Sequence, residues 1–397
     1  MQCGRPLLLR QPFASDAFDQ VILGCVNVIA DEMNPARVAA LRLGMGESMV
    51  AFTEQINCGS GMQSIDTGYR YIREGTADLI LAGGAEALSH APLVYNRKAV
   101  QWFASMFGAR DLLSRLKLFA ALRPSFFFKP VIGLERGLTD PLVDLNMGQT
   151  AEIVAHVFGI SRLDADTYAM QSHHRLARAQ KEGYFKGELE PAFDRRGKVY
   201  DFDDGVRVDS SVEQLAKLRP AFERPWGKVT PGNSSQITDG ASWVILASED
   251  AVNKHKLTPK AVIVDSCWAA LDPSIMGLGP VMSTAPLMKK YKLGLDDIDL
   301  WEINEAFAAQ VLGCRAAFND DTFCKDVLGF DSKIGLIDRD KLNVDGGGIG
   351  LGHPVGASGN RITLHLVNAL KRLGKKRGIA SQCIGGGQGG ALLIEAV

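Results

Sequence analysis

A chain of 397 residues, 46% hydrophobic and 22% charged, is long enough to bury a large core in two or more structural units. Its net charge of −1 offers no basic excess for nucleic acid, and no apolar run approaches the roughly 20 residues that span a bilayer. The seven cysteines (3, 25, 58, 267, 314, 324 and 383) are odd in number and lack zinc-like spacing, so the expectation is a reducing, cytoplasmic setting and no metal.

Leu7-Leu8-Leu9 is too short for a signal-peptide core. Val21-Ile22-Leu23-Gly24 and the run Leu79 to Gly84 predict buried strands closed by glycine. Between them, residues 58–74 have helical spacing, with Met62, Ile65, Tyr69 and Ile72 on one face. Cys58 therefore falls where a strand or loop enters a helix, and the free N–H groups and dipole there are expected to lower its thiol pKa. Residues 97–232 read differently, with amphipathic helices over 151–182, loop-like stretches around Asp201 to Gly205 and many prolines. Further strands are predicted at Trp243–Leu246, Ala261–Val264, Leu300–Ile303, Ile379–Gln382 and Ala391–Ile394. Strand alternating with helix implies an α/β architecture with buried sheets in two similar halves. The expected units are 1–96 completed by 233–258, an inserted lobe at 97–232, and 259–397.

Four short stretches carry chemistry. Cys58, in Asn57-Cys58-Gly59-Ser60-Gly61, is the candidate nucleophile, flanked by small residues that let a ligand approach backbone amides. His353, in Gly352-His353-Pro354, is placed to take a proton from it and to help hold a thioester oxygen. Asn304, at the end of the strand Leu300–Ile303, can orient a water or donate to an oxyanion, while Glu305 supports the geometry. Cys383, in Cys383-Ile384-Gly385, is a second thiol suited to move a proton at the α-carbon of an acetyl thioester. The Gly385 and Cys58 amides together can form a further oxyanion hole. The glycine run from Gly346 to Gly359 lacks the Gly-Lys-Ser/Thr ending of a phosphate loop, and the run at Cys383 lacks the acid of a dinucleotide fingerprint.

These motifs in this order (CxS, NEAF, GHP and CxG) resemble the thiolase family. Asn34 to Arg37, Met147 to Glu152, Gly232 to Ser235, Thr238 to Ala241 and Met276 to Pro280 extend the resemblance over roughly residues 20 to 397. It implies two βαβαβαββ halves packed face to face into a layered α/β/α/β/α core, with a loop lobe that binds coenzyme A. It further implies an acylated Cys58, activation by His353, an acid/base Cys383, and an oxyanion-hole water held by Asn304 beside His353. Ser235 resembles a residue contacting the CoA pantetheine, and Arg207 one facing the nucleotide end, with a solvated surface arginine as the other reading. No tightly bound cofactor is implied, CoA and acyl-CoA being substrates, and a homodimer or dimer of dimers is expected.

Residues 97–129 hold seven basic residues (Arg97, Lys98, Arg110, Arg115, Lys117, Arg123 and Lys129) against one acid, Asp111, interleaved with Trp102, Phe103, Phe107, Leu113, Leu116 and Phe119. A basic amphipathic segment reads as a membrane-surface or partner-docking element, or as a helix burying its apolar face on its own lobe. The insert resembles that of β-subunit thiolases from fatty-acid-oxidation trifunctional complexes, implying 3-ketoacyl-CoA substrates and an α-subunit partner. Those proteins often carry HEAF where this chain has NEAF. The family also has a strand and a helix before the segment matching Val21, and Pro6 to Phe13 is expected to stand in for the strand. The expected activity is degradative thiolysis in fatty-acid β-oxidation. The alternatives are a biosynthetic acetoacetyl-CoA thiolase and an inactive thiolase-fold lipid-binding or scaffolding subunit. A decarboxylating condensing enzyme would use a second histidine in place of Cys383.

Overall fold

The computed structural model describes every residue from Met1 to Val397 except Lys129, so that member of the basic segment lies outside the described residues. Two four-stranded sheets carry the fold. In the first, strands run in the order Asp239–Ala247, Leu79–Ala87, Gln20–Gly24, Val50–Glu54. In the second the order is Ala261–Ala270, Gln388–Ala396, Arg377–Ile384, Leu300–Ile303.

The strand runs are apolar on both faces because both faces are covered. Val21, Leu23, Leu79 and Leu81 point to an outer cluster with Ala36 and Ala40 of the helix Pro35–Arg42. Their alternates, Ile22, Ile80 and Ala82, point inward to Met62, Ile65, Ile362 and Leu366. Ala380, Leu392 and Ile394 of the second sheet reach the same inner layer from the other side, while Ile379, Ala391 and Leu393 face the helices Gly279–Tyr291 and Ala308–Phe318. The result is five layers: helices, sheet, helices, sheet, helices. The middle layer consists of the helices Ser60–Arg73 and Val355–Leu373.

These two helices cross with almost no side chain between them. A Cβ on Gly61 would stand 2.7 Å from the Gly356 carbonyl oxygen, and one on Gly359 would stand 2.6 Å from the Met62 nitrogen. Glycine is required there by the approach of backbone to backbone.

The stretch between the strands Leu79–Ala87 and Asp239–Ala247 contains the helices Met147–Val157 and Arg162–Lys181, where amphipathic helices were expected. Val154, Ala165, Tyr168 and Ala169 from these helices join the core cluster of the second half. The basic segment folds as the helices Arg97–Gly108 and Leu112–Ala120, pinned by a bond of 2.8 Å from Trp102 Nε1 to the Leu118 carbonyl. Trp102, Phe103 and Phe127 pack edge to face, so part of the segment buries its own apolar surface. Phe107, Leu112, Leu113, Leu116 and Phe119 nevertheless stay exposed. Among the described residues, no helix is long and apolar enough to cross a membrane.

Two expectations change. Pro6 to Phe13 does not stand in for a strand: Gly4–Leu9 is helical, because leucines are good helix formers and Pro6 falls in the first turn, where its missing N–H costs nothing. Leu8 from this turn enters the outer cluster of the first sheet. Among the described residues, each of the two main sheets also has four strands where a βαβαβαββ half supplies five. In the second half an isolated bridge between Trp301 and Leu342 occupies the fifth place. In the first, among the described residues, no strand lies beyond Asp239–Ala247.

Candidate active site

Cys58 immediately precedes Gly59, the N-cap of Ser60–Arg73. Asn57 before it takes a left-handed φ of 46°, and Ser60 Oγ fixes the turn by donating to the Asn57 carbonyl at 2.7 Å while accepting from the Ile56 N–H at 2.9 Å. The Asn57 side chain then reaches 328 residues along the chain, Nδ2 donating to the Gly385 carbonyl at 2.8 Å. This turn presents the Cys58 sulfur to the backbone amide of Gly385.

The electrostatic expectation for Cys58 is reversed. Burial raises its thiol above the ordinary value; hydrogen bonding from the Gly385 and Cys58 amides opposes this, and the Glu86 charge adds to it. Cys58 keeps some exposed surface, but the crowded protein shell outweighs the helix start. The resting Cys58 sulfur is therefore a thiol, and to act as a nucleophile it would need a base.

Cys383 sits at the end of Arg377–Ile384, 1% exposed, against Met276 and Ala306. A turn through Gly386 and Gly387, with φ of 92° and 75°, carries the chain back into Gln388–Ala396. Burial holds the Cys383 thiol well above its usual range, and charge on Cys58 pushes it further the same way. The two thiols therefore feel one another.

His353 lies just before Val355–Leu373, so the glycine crossing of the two middle helices brings the histidine and Cys58 to one place in the fold. Its backbone N–H donates to the Gln236 carbonyl at 2.9 Å. Nδ1 is 2.5 Å from Ser358 Oγ, which is also 3.1 Å from the Pro354 carbonyl. With the hydroxyl donating to that carbonyl, its oxygen accepts from Nδ1–H, which leaves Nε2 unprotonated. Burial, reinforced by the Arg361 guanidinium, pushes His353 down to about 4, so the ring is neutral at pH 7. Asn304 Nδ2 lies 3.4 Å from His353 Nε2, and its Oδ1 is buried without a protein partner.

Glu305 is a support, as its place in NEAF suggested. Oε1 accepts from Tyr168 at 2.8 Å and Asn343 at 3.1 Å, and Oε2 accepts from Ser172 at 2.6 Å and the Ile349 N–H at 3.2 Å. It ties the strand that ends at Ile303 to the glycine run leading to His353. Ser235 is half-buried, its N–H donating to the Ala306 carbonyl at 2.9 Å, which sets it beside the Asn304 loop. Arg207 is exposed and is not drawn into the cluster; its loop touches the site's border, where Gln236 Nε2 donates to the Gly205 carbonyl at 3.2 Å.

Two further residues had no role assigned from sequence. Ser358 sets the imidazole's tautomer. Glu86, 4% exposed, accepts from the N–H groups of Asn27 at 2.9 Å, Val26 at 3.3 Å and Gly356 at 2.8 Å, anchoring the helix that follows His353. Its sequence signal is an acid placed directly after a buried Gly-Gly-Ala strand.

The arrangement combines a thiol nucleophile, a neutral imidazole, a buried second thiol and backbone amides, which is the equipment of acyl transfer through a thioester. Comparison with known proteins agrees. The family model described as "Thiolase, N-terminal domain" matches residues 2–250, and "Thiolase, C-terminal domain" matches 257–396. The mitochondrial 3-ketoacyl-CoA thiolase of Rattus norvegicus is 40% identical over 384 residues, covering 96% of this chain and 87% of the rat protein. The crystal structure of a Bacillus anthracis acetyl-CoA acetyltransferase superposes with a TM-score of 0.84 at 35% identity, covering 100% of this chain and 92% of that one. Human mitochondrial 3-ketoacyl-CoA thiolase in complex with CoA superposes with a TM-score of 0.83 at 38% identity, covering 99% of this chain and 90% of that one. With both thiolase domains matched along nearly its whole length, the chain belongs to the thiolase family.

Proposed function

We propose that the chain is a 3-ketoacyl-CoA thiolase, an acetyl-CoA C-acyltransferase of fatty-acid β-oxidation that cleaves 3-ketoacyl-CoA with CoA. The observation that carries the reading is the pairing of Cys58 and Cys383 across the Gly385 backbone, beside a neutral His353. In the proposed reaction, His353 Nε2 takes the Cys58 proton and the sulfur attacks the 3-keto carbon. The bond between that carbon and the α-carbon breaks. The Cys383 thiol, kept protonated by burial, delivers a proton to the α-carbon and acetyl-CoA leaves. The CoA thiol then gives up a proton to the site and takes the acyl group from Cys58, regenerating the enzyme. The Cys58 and Gly385 amides hold one oxygen, and His353 with a water on Asn304 holds the other, each donor contributing about 3 kcal/mol.

Ser235 is assigned to the pantetheine arm because it borders the Asn304 loop, and Arg207 to the nucleotide end because it is an exposed cation at the site's margin. The proposed organisation is a first half, 1–96 with 233–258, an inserted lobe, 97–232, and a second half, 259–397. A homodimer or dimer of dimers is proposed, supported by the place of Val50–Glu54 at the end of the first sheet. The hairpin formed by 97–128 is assigned to an anionic membrane surface, supported by the exposed Leu112, Leu113, Leu116 and Phe119 among basic residues. A β-oxidation α-subunit is the other partner that this face would suit.

Thiolysis by the purified protein across 3-ketoacyl-CoA chain lengths, from four carbons upward, tests the reading. Activity rising with length supports it. Activity on acetoacetyl-CoA alone assigns the biosynthetic class, and none at any length removes the enzymatic reading.

A further inference from the structure

Asn304 leaves the second sheet at the end of its last strand, Leu300–Ile303, and different groups hold it on the two sides. On the inner side the ladder with Arg377–Ile384 continues one residue past the strand, the Asn304 N–H donating to the Ser381 carbonyl at 2.9 Å. On the outer side Trp301 pairs with main chain: its N–H donates to the Lys341 carbonyl at 2.8 Å and its carbonyl accepts from the Asn343 N–H at 2.9 Å. The next outward groups belong to Ile303, but the neighbouring chain turns away at Asn343, which takes a left-handed φ of 45°.

The Asn343 side chain takes the place that a main-chain partner would fill. Its Oδ1 accepts from the Ile303 N–H at 2.9 Å and its Nδ2 donates to the Ile303 carbonyl at 2.9 Å, so one amide satisfies both groups as a paired peptide would. Nδ2 also meets Glu305 Oε1 at 3.1 Å and the Tyr168 hydroxyl oxygen at 3.0 Å. Asn343 thus grips the residue before Asn304 and the residue after it. It is 1% exposed, and the helix Arg162–Lys181 fixes the chain around it: Arg175 Nη1 donates to the Leu342 carbonyl at 2.6 Å and Arg178 Nη2 to the Val344 carbonyl at 2.8 Å.

We infer that Asn343 is a positioning residue for Asn304: by holding both of its chain neighbours, it keeps the Asn304 amide aimed at the oxygen that gains charge when the carbon–carbon bond breaks. The inference rests on the thiolysis reading. In that reading the attacked carbonyl lies against the Cys58 and Gly385 amides, while the thioester oxygen of the departing acetyl unit is held by His353 and the water on Asn304. Acetyl exchange between acetyl-CoA and free CoA uses only the first of these oxyanion holes, since Cys58 then attacks the thioester carbonyl itself. Cleavage needs both. A loosened Asn304 therefore penalises cleavage and spares exchange, whereas a general loss of structure lowers the two together.

Asn343→Gly removes the amide while its backbone keeps the left-handed turn without steric strain. In the folded variant, kcat for 3-ketoacyl-CoA cleavage should fall about a hundredfold, while exchange of isotopically labelled CoA into acetyl-CoA runs at the parent rate. Tyr168→Phe leaves both amide bonds to Ile303 and removes only the hydroxyl beside Nδ2, so cleavage should fall about tenfold, the equivalent of one hydrogen bond, with exchange again unchanged. That variant decides the matter if Asn343→Gly fails to fold. Unchanged cleavage in the folded variant, or cleavage and exchange falling in the same proportion, overturns the inference and leaves the thiolysis reading in place. An unaltered protein that cleaves no 3-ketoacyl-CoA of any length overturns both, a result seen before any substitution is made.

Discussion

Glu86→Gln is expected to separate stability from nucleophile acidity, moving them in opposite senses. All three donors that meet Glu86 are backbone N–H groups, at 2.8, 2.9 and 3.3 Å, and none can rotate to become an acceptor. The amide of a glutamine must therefore face one of them. The cheaper orientation sets the NH2 against Asn27 and keeps the oxygen on Val26 and Gly356. A hydrogen bond to a charged group contributes about 1.5–3 kcal/mol and a neutral one about half that, so one lost and two weakened bonds cost about 3–6 kcal/mol. For 397 residues the unfolding entropy is roughly 0.8 kcal/mol per degree, which places the fall in Tm at about 4–7 °C. The Glu86 charge also raises the Cys58 thiol, so its removal lowers that pKa. Alkylation of Cys58 by iodoacetamide, followed from pH 6 to 10, should shift to lower pH while Tm drops. An unchanged Tm, or a titration displaced to higher pH, would refute the role given to this carboxylate.

The other expectations concern the reaction and its surroundings. Cys58→Ala should abolish acyl-enzyme formation, whereas Cys383→Ala should still be acylated from an acyl-CoA yet fail at carbon–carbon cleavage; intact-protein mass spectrometry and turnover distinguish the two, and normal turnover in either removes the mechanism. His353, neutral when folded and held at about 4 against an unfolded value of 6.5, binds its proton more readily in the unfolded chain. Its contribution to stability is therefore present above pH 6.5 and lost as pH falls toward 4. The parent should lose about 3 kcal/mol more than His353→Gln over that window in urea titrations, and parallel curves would contradict the assignment. Flotation with anionic liposomes should occur at low salt, decline as salt is added and weaken with Leu116→Glu, while failure to float at low salt would leave the hairpin to a protein partner.

Strands buried on both faces were legible because an apolar run such as Leu79 to Ala82 has few other uses. Val50–Glu54 was not, since none of its residues is fully buried and Thr53 and Glu54 interrupt the pattern. The four candidate motifs stood out in the sequence because small residues around a thiol or an imidazole are hard to explain by packing. Glu86 and Ser358 were missed for a physical reason: Glu86 holds amides 60 and 270 residues away, and no local spacing records such a bond. The direction of the Cys58 shift failed similarly. A helix start can be read from neighbouring residues, but the desolvation that outweighs it comes from the whole surrounding fold.

The backbone-to-backbone crossing at Gly61, Gly356 and Gly359 also bears on heat tolerance. Contacts between side chains loosen gradually on warming as rotamers become populated, and sites built on them drift out of alignment before the protein melts. A joint between two helix backbones has no rotamers to populate. The spacing of thiol and imidazole should therefore hold until the helices themselves come apart, so that thiolysis and cooperative structure disappear at one temperature.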